Sequence, residues 1–296
     1  MAASPVVELE AHPTPQPMAT TRSAIDSSRD AFAALLLRDL VVLKKRLREF
    51  IPRTVLQPFL LCFVFLYVFP SIGQGVGGGR GAAGESAFAT ILVAGVVGLS
   101  IMFQGIQAVA LPMVQEFGYT KEIEDRVLAP LPVSLVALEK VAFGAIQGLL
   151  AAVIVFPIAA VVHASQVQVN LQVHWAILVT LIPLACVTCS ALGLTFGTIF
   201  DPRTVPLLFG IVVLPLTFLG GTYYSWTTLA PITIGGVHWL QLLVLLNPLV
   251  YINEGFRAAL TTSDHMSLWI VYPVLLGFTT LFLWSGIANF KKRVIS

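Results

Sequence analysis

The segment with the most suggestive spacing for chemistry is residues 79–86, Gly-Arg-Gly-Ala-Ala-Gly-Glu-Ser, which match the glycine and serine positions of a phosphate-binding loop. Such a loop needs a lysine for the phosphates, and Glu85 stands at that position. A carboxylate there repels the phosphates that a lysine attracts, and no predicted strand precedes the segment. We therefore expect this chain to bind no nucleotide and to catalyse no hydrolysis of its own.

Cysteine and histidine, the usual metal ligands and nucleophiles, form no catalytic pattern either. Cys186 and Cys189 have the C-x-x-C spacing but no second ligand pair, and with Cys62 they lie inside apolar runs. A membrane-embedded enzyme acting on lipid would need a convergent acid, base or nucleophile, and none is apparent. The sequence therefore predicts no catalytic residue and no metal site.

Two sets of polar residues interrupt the apolar runs. Gln104 and Gln107 lie at i and i+3 in one run and Gln147 lies in the next, where they would face a bundle interior rather than lipid. They either line a substrate path or hydrogen-bond between helices for packing, and the sequence favours neither.

Tyr251, Glu254 and Arg257 follow at i, i+3 and i+6, which places them on one helical face. Glu254 and Arg257 can form an ion pair at this spacing, which lowers the cost of holding both charges near a membrane. Two interpretations stay open: a structural ion pair, or a polar plug that acts as an external gate of a pathway.

The elements that position these residues are those of an integral membrane protein. Of 296 residues, 57% are hydrophobic and only 11% are charged, whereas a soluble domain carries roughly 25% charged residues. A crossing helix needs about 20 apolar residues. The sequence therefore predicts an all-α protein with six transmembrane helices, at residues 54–71, 87–111, 135–163, 175–200, 205–222 and 268–290.

The remaining segments flank or interrupt this six-helix transmembrane domain, residues 53–296. Residues 1–29 are rich in Pro, Ser and Thr, which is typical of a disordered tail. Residues 30–52 show a basic amphipathic pattern that predicts an interfacial helix, turned at its end by Pro52. The apolar run 237–250 is too short to cross and is broken by Asn247-Pro248, so residues 223–257 are predicted to form a re-entrant hairpin.

The segment between the second and third predicted spans, with a loop at residues 112–134, is charged and cannot lie in lipid, where a single charge costs about 2.5–3.5 kcal/mol at the bilayer centre. We expect a short water-exposed helix there, ended by Pro130 and Pro132.

The distribution of charge predicts the orientation of the spans. Of the 17 Lys and Arg residues, all except Arg80 and Arg257 fall on one side of the predicted topology. By the positive-inside rule that side is cytoplasmic. Both termini and the loop 112–134 are therefore predicted to be cytoplasmic, and the hairpin external, in a multi-pass protein of the cell membrane.

Three parts of the chain resemble the membrane subunits of ABC-2 type exporters: the acidic segment 121–134, Gly-Gly-Thr-Tyr-Tyr-Ser at 220–225, and the stretch 246–257 from Leu-Asn-Pro-Leu to Glu-x-x-Arg. The resemblance implies an interfacial helix, a cytoplasmic coupling helix and an external re-entrant hairpin. It also implies a second permease copy or a paralogue, and a separate cytoplasmic ABC ATPase that binds ATP and Mg²⁺. No nucleic-acid partner is expected.

The favoured hypothesis is thus an export permease that moves a drug, lipid or lipid-linked molecule out of the cytoplasm, with polysaccharide as the alternative cargo. The residues expected to couple it to the ATPase are Tyr119, Glu122, Ile123, Glu124, Asp125, Arg126, Val127 and Leu128. The alternative is a secondary transporter or channel without an ATPase. Such a protein needs ionisable residues near the membrane midplane, and the predicted spans offer almost none.

Overall fold

The computed structural model describes residues 24–73, 82–118, 131–165, 167–200, 204, 207 and 209–295. In this part of the chain the regular structure is helical, and the only strand-type pairing is an isolated bridge between Ile234 and Val237. Five of the described helices are long and apolar enough to cross a membrane. They are α2 (Leu47–Ser71), α3 (Ala82–Gly118), α4 (Val133–Val161), α5 (Trp175–Ile199) and α9 (Leu268–Ile295).

The basic N-terminal helix and the first crossing helix meet at a break. Helix α1 (Ala24–Lys45) begins before the predicted start at Asp30, and α2 begins directly after Arg46. The turn predicted at Pro52 is wrong, because Pro52 lies inside α2. Proline removes one intrahelical hydrogen bond, and the exposure of this part of α2 lets solvent satisfy the carbonyl left without a partner.

Helix α3 also continues past its predicted end. The predicted loop 112–134 begins at Pro112, but Pro112 lies inside α3, which ends at Gly118. At the other side of the undescribed segment 119–130, α4 begins at Val133, next to its cap Pro132.

Helices α3 and α5 form the centre of the bundle and pack most extensively against each other. Glycines allow the close approach. A Cβ atom on Gly193 of α5 would lie 2.8 Å from the backbone oxygen of Ile106 in α3, closer than real contacts come. Close packing of this kind is how helices associate in a membrane, where the hydrophobic effect supplies no drive.

Helices α2 and α9 lie at the edge of the bundle and leave large apolar side chains exposed. On α2 these include Phe59, Phe63 and Tyr67, whose rings stack at i, i+4 spacing. On α9, Trp269 is 91% exposed and Trp284 73%. Apolar surface on this scale is covered by lipid or by another subunit in a working membrane protein.

The bundle has two chemically distinct ends. We call the basic end the one where Lys140 of α4 contacts Asp39 of α1 and Glu116 of α3, and where Arg293 of α9 contacts the carbonyl of Phe200, just after α5. The hairpin end is the one just before α5, where the amides of Gln172 and His174 donate to the carbonyls of Leu260 and Ala259. Helix α6 consists of a π-helical stretch, Phe209–Val213, followed by an α-helical stretch, Leu214–Phe218.

The segment 223–257, predicted to be a re-entrant hairpin, contains α7 (Trp239–Val244) and most of α8 (Pro248–Leu260), and we call these two helices the hairpin. Asn247 caps α8, because its side-chain oxygen accepts a hydrogen bond from the amide of Leu249 at 3.0 Å. The Nδ2 of Asn247 donates to the carbonyl of Leu216 at 2.6 Å, which attaches the turn of the hairpin to α6. All residues of α8 are buried, against α3, α5 and α9.

Candidate functional site

A cavity of about 310 Å³ opens at the basic end, between the α1–α2 break and helices α3 and α4. The three glutamines predicted as pathway lining, Gln104, Gln107 and Gln147, all line it. The structure therefore brings together residues that lie on two helices, although their role in transport stays a prediction.

The glutamines also connect the helices around the cavity. Gln104 Nε2 donates to Gln147 Oε1 at 2.9 Å, which joins α3 to α4. Thr54 Oγ1 donates to Gln104 Oε1 at 3.2 Å, and Arg53 Nη2 donates to Gln107 Oε1 at 2.6 Å, which joins α2 to α3. Interhelical hydrogen bonding, one of the two interpretations of these residues, is thus what the geometry shows, and it coexists with their position on a cavity wall.

The sequence did not indicate three charged residues of this cavity, Arg46, Glu49 and Arg53, or a fourth glutamine, Gln115. The charged residues were part of the basic pattern of residues 30–52 or of its margin, where cations are expected to meet lipid head groups. No local signal could have found the contact of Arg53, because Gln107 lies 54 positions away in the chain.

A buried ion cluster lies beside the cavity. Lys140 Nζ in α4 is 2.5 Å from Glu116 Oε1 in α3 and 3.6 Å from Asp39 Oδ2 in α1, and the side chain of Lys140 is 4% exposed. Glu116 and Lys140 flank the undescribed segment 119–130. Removing one partner of a buried pair leaves an uncompensated charge, so this contact holds the ends of α3 and α4 together.

Arg293, near the end of α9, contacts the C-terminal ends of α5 and α3. Its Nη1 donates to the carbonyl of Phe200 at 2.9 Å, just after α5, and its guanidinium lies 5.0 Å from the ring centroid of Phe117 in α3. A cation at a helix C-terminus satisfies carbonyls that have no intrahelical partner. The ends of α1, α3, α4, α5 and α9 therefore form one connected unit at the basic end.

The predicted coupling residues belong to the part of the sequence between Glu116 and Lys140. They fall outside the described residues: Tyr119, Glu122, Ile123, Glu124, Asp125, Arg126, Val127 and Leu128.

The predicted ion pair at the hairpin end is present. Arg257 Nη1 lies 2.8 Å from Glu254 Oε1, and both side chains are 0% exposed. Glu254 also accepts hydrogen bonds from the amides of Trp226 at 2.7 Å and Met266 at 2.8 Å, and Arg257 Nη2 donates to the carbonyl of Gly221. The pair thereby ties α8 to the loops before and after the hairpin.

Tyr251, the third residue predicted at an external gate, bonds elsewhere. Its hydroxyl donates to the carbonyl of Leu245 at 3.1 Å, and its ring lies 6.1 Å from that of Phe278 in α9, centroid to centroid. In this conformation the three residues therefore anchor the hairpin, and a gating role stays a prediction.

Comparison with known proteins agrees with the helical architecture. The model of the ABC-2 type transporter family matches residues 30–261. The chain is 28% identical over 237 residues to the inner membrane transport permease YadH of Escherichia coli strain K12, which covers 78% of this chain and 84% of that protein. The permease of the same name from Shigella flexneri matches to the same extent. This chain belongs to the ABC-2 type transporter family and is a permease subunit of that family.

Proposed function

We propose that the chain is the membrane-spanning subunit of an ATP-driven exporter, with ATP hydrolysis in a separate cytoplasmic ABC ATPase that binds ATP and Mg²⁺. The observation that carries this proposal is the buried contact between Glu116 and Lys140, which joins the two helices on either side of segment 119–130. A partner that moved this segment would move α3 and α4 together.

The displacement would then reach both ends of the molecule. Helix α1 follows through the 3.6 Å contact of Asp39 with Lys140. At the hairpin end, α8 packs tightly on α3: a Cβ on Gly98 would come within 2.1 Å of Asn253 Oδ1. Packed helices with no free space move as bodies, so a shift of α3 would carry α8 with it.

For this mechanism we propose six crossings, the five long helices and α6. Phe200 contacts Arg293 at the basic end, and the carbonyl of Gly220 accepts a hydrogen bond from Asn253 Nδ2 at the hairpin end. These contacts at opposite ends support a crossing by the chain between them. From the positive-inside rule we propose that the basic end and both termini are cytoplasmic and that the hairpin is an external re-entrant element.

The cargo that we propose is hydrophobic or amphipathic, a drug, lipid or lipid-linked molecule. The cavity supports this, because its wall combines the three glutamines with apolar side chains such as Phe50 and Phe143. The functional unit would contain a second permease copy or a paralogue. The exposed apolar faces of α2 and α9 offer surface for such a neighbour as well as for lipid.

Charge reversal in the coupling segment tests the proposal. We expect Glu124→Lys with Asp125→Lys to abolish ATP-dependent export of a fluorescent amphipathic probe from cells, because the ATPase would lose its contact, while membrane insertion stays normal. The matched control is Asp264→Lys, which reverses an exposed acid just before α9, on the predicted external side. Normal export by the double variant would refute the coupling role.

The same assay distinguishes the alternative of a secondary transporter. Vesicles that hold the complex should move the probe when ATP is supplied and should not respond to a proton gradient alone. Transport that is driven by the gradient without ATP would favour the alternative.

A further inference from the structure

The cavity at the basic end holds more hydrogen-bond donors than the protein itself uses. Gln147 is only 8% exposed, yet its amide nitrogen has no acceptor among the residues that the structure describes, and the side chain lines the cavity. This nitrogen is therefore available to donate a hydrogen bond to a molecule in the cavity.

The charges on the wall have a net positive sign. Arg46 and Arg53 line the cavity together with a single acid, Glu49. Within the described part of the chain neither arginine forms an ion pair, and Arg53 bonds only to the neutral amide of Gln107. Arginine offers five donors in a planar fork that fits a phosphate or carboxylate, so donors remain available on this wall.

Apolar side chains form another part of the same wall. Phe50, Leu111 and Phe143 line the cavity, as does Val42 of α1. On the same helix Leu37 and Val41 are 61% and 50% exposed, which is the pattern of a helix whose apolar face rests in acyl chains. A molecule in the cavity would therefore meet donors at one part of its surface and hydrocarbon at another.

We propose that this cavity binds the phosphate ester head of an amphipathic molecule, held by Arg46, Arg53 and the amide of Gln147, with its acyl part against Phe50, Leu111 and the lipid beside α1. This deepens the proposed function, on which it rests for the idea that such a molecule is cargo. The binding itself requires neither ATP nor a partner subunit.

Binding can be measured on the purified full-length permease alone, in detergent, by native mass spectrometry with added phosphatidylglycerol, phosphatidylcholine or inorganic phosphate. We expect phosphatidylglycerol to bind more tightly than phosphatidylcholine, and inorganic phosphate to compete weakly. Arg53→Gln and Gln147→Leu should each weaken phosphatidylglycerol binding by about tenfold, the loss expected of one hydrogen bond to a charged group.

Two matched controls separate this site from general attraction to a basic surface. Arg48→Gln removes an exposed cation of α2 beyond the cavity wall, and Gln57→Leu removes an amide of the same helix beyond it. Both should bind as the unaltered protein does. A melting temperature close to that of the unaltered protein in each variant excludes misfolding as the cause of weaker binding.

Three results would overturn the proposal: equal affinity for the two lipids, equal weakening in the controls, or binding of inorganic phosphate as tight as that of the lipid, which would indicate a site for free anions. Because no ATP or ATPase is present, failure here leaves the export function standing. Conversely, a negative result in the export assay would leave the proposed lipid-binding site untouched.

Discussion

At the hairpin end, Glu254 and Arg257 are completely buried and bonded to each other and to the backbone of two loops. At the basic end, Gln147 and Arg53 face a cavity, and Gln147 has an amide donor left over. The two polar clusters lie in one bundle, but only the cluster at the hairpin end has its side chains fully buried. The polar groups of a fully buried cluster hydrogen-bond within the protein and stabilise the fold, whereas those that face a cavity can hydrogen-bond to a ligand. Substitutions at the two ends should therefore affect different properties.

The largest loss of stability is expected from removing one partner of the buried ion pair at the hairpin end. Arg257→Met leaves the Glu254 carboxylate buried without its cation, which should cost about 3–5 kcal/mol of unfolding free energy. The midpoint of thermal unfolding in detergent, together with the yield of monodisperse protein, would measure this. Arg48→Met, at an exposed arginine, is the control. If the two variants had the same melting temperature, the buried ion pair would not stabilise the hairpin end.

A smaller loss should follow from separating α8 from α3 without touching a charge. In Gly98→Ala the new methyl would collide with the side chain of Asn253, which is fixed to the carbonyl of Gly220 at 2.8 Å. Overpacking of this kind costs about 1–3 kcal/mol. Gly277→Ala in α9 meets no atom within 4 Å and should leave stability unchanged or raise it. Equal melting temperatures in the two variants would contradict tight packing of α8 on α3.

The smallest effect on stability is expected at the polar cluster that faces the cavity. Gln147→Leu removes one hydrogen bond, a net loss of about 0.5–1.5 kcal/mol, which burial of the apolar side chain partly offsets. Water in the cavity can satisfy Gln104 in its place. The melting temperature should barely change while export of the amphipathic probe falls, with Gln57→Leu unaffected in both. A stability loss as large as that of Arg257→Met would show that the glutamines serve packing alone.

The sequence predicted what depends on local spacing or on long apolar runs. The ion pair of Glu254 and Arg257 follows from an i, i+3 spacing within one helix, and the crossing helices follow from runs of hydrophobic residues. Contacts between distant parts of the chain left no such signal. Lys140 with Glu116, and Arg53 with Gln107, are set by how the helices pack, so neither was anticipated.

Two prolines lie inside helices where a turn or a loop was predicted. Pro52 was expected to turn the chain but lies inside α2, and the predicted loop 112–134 begins at Pro112, which lies inside α3. Helices of a membrane protein tolerate proline, because neighbouring helices and polar groups satisfy the carbonyl that loses its partner. The break that does occur, at Arg46, carries no proline and follows from packing of α1 and α2 on α4.

The central claim, that this subunit works with a separate ATPase held at segment 119–130, is tested most directly by the ATPase activity that copurifies with it. The tagged full-length protein would be isolated from its native membranes, and ATP hydrolysis per permease would be compared between the unaltered chain, Asp264→Lys and Glu124→Lys with Asp125→Lys. Our account predicts Mg²⁺-dependent hydrolysis with the first two and its loss with the double variant. Absence of hydrolysis with the unaltered permease, or its full retention in the double variant, would contradict the account.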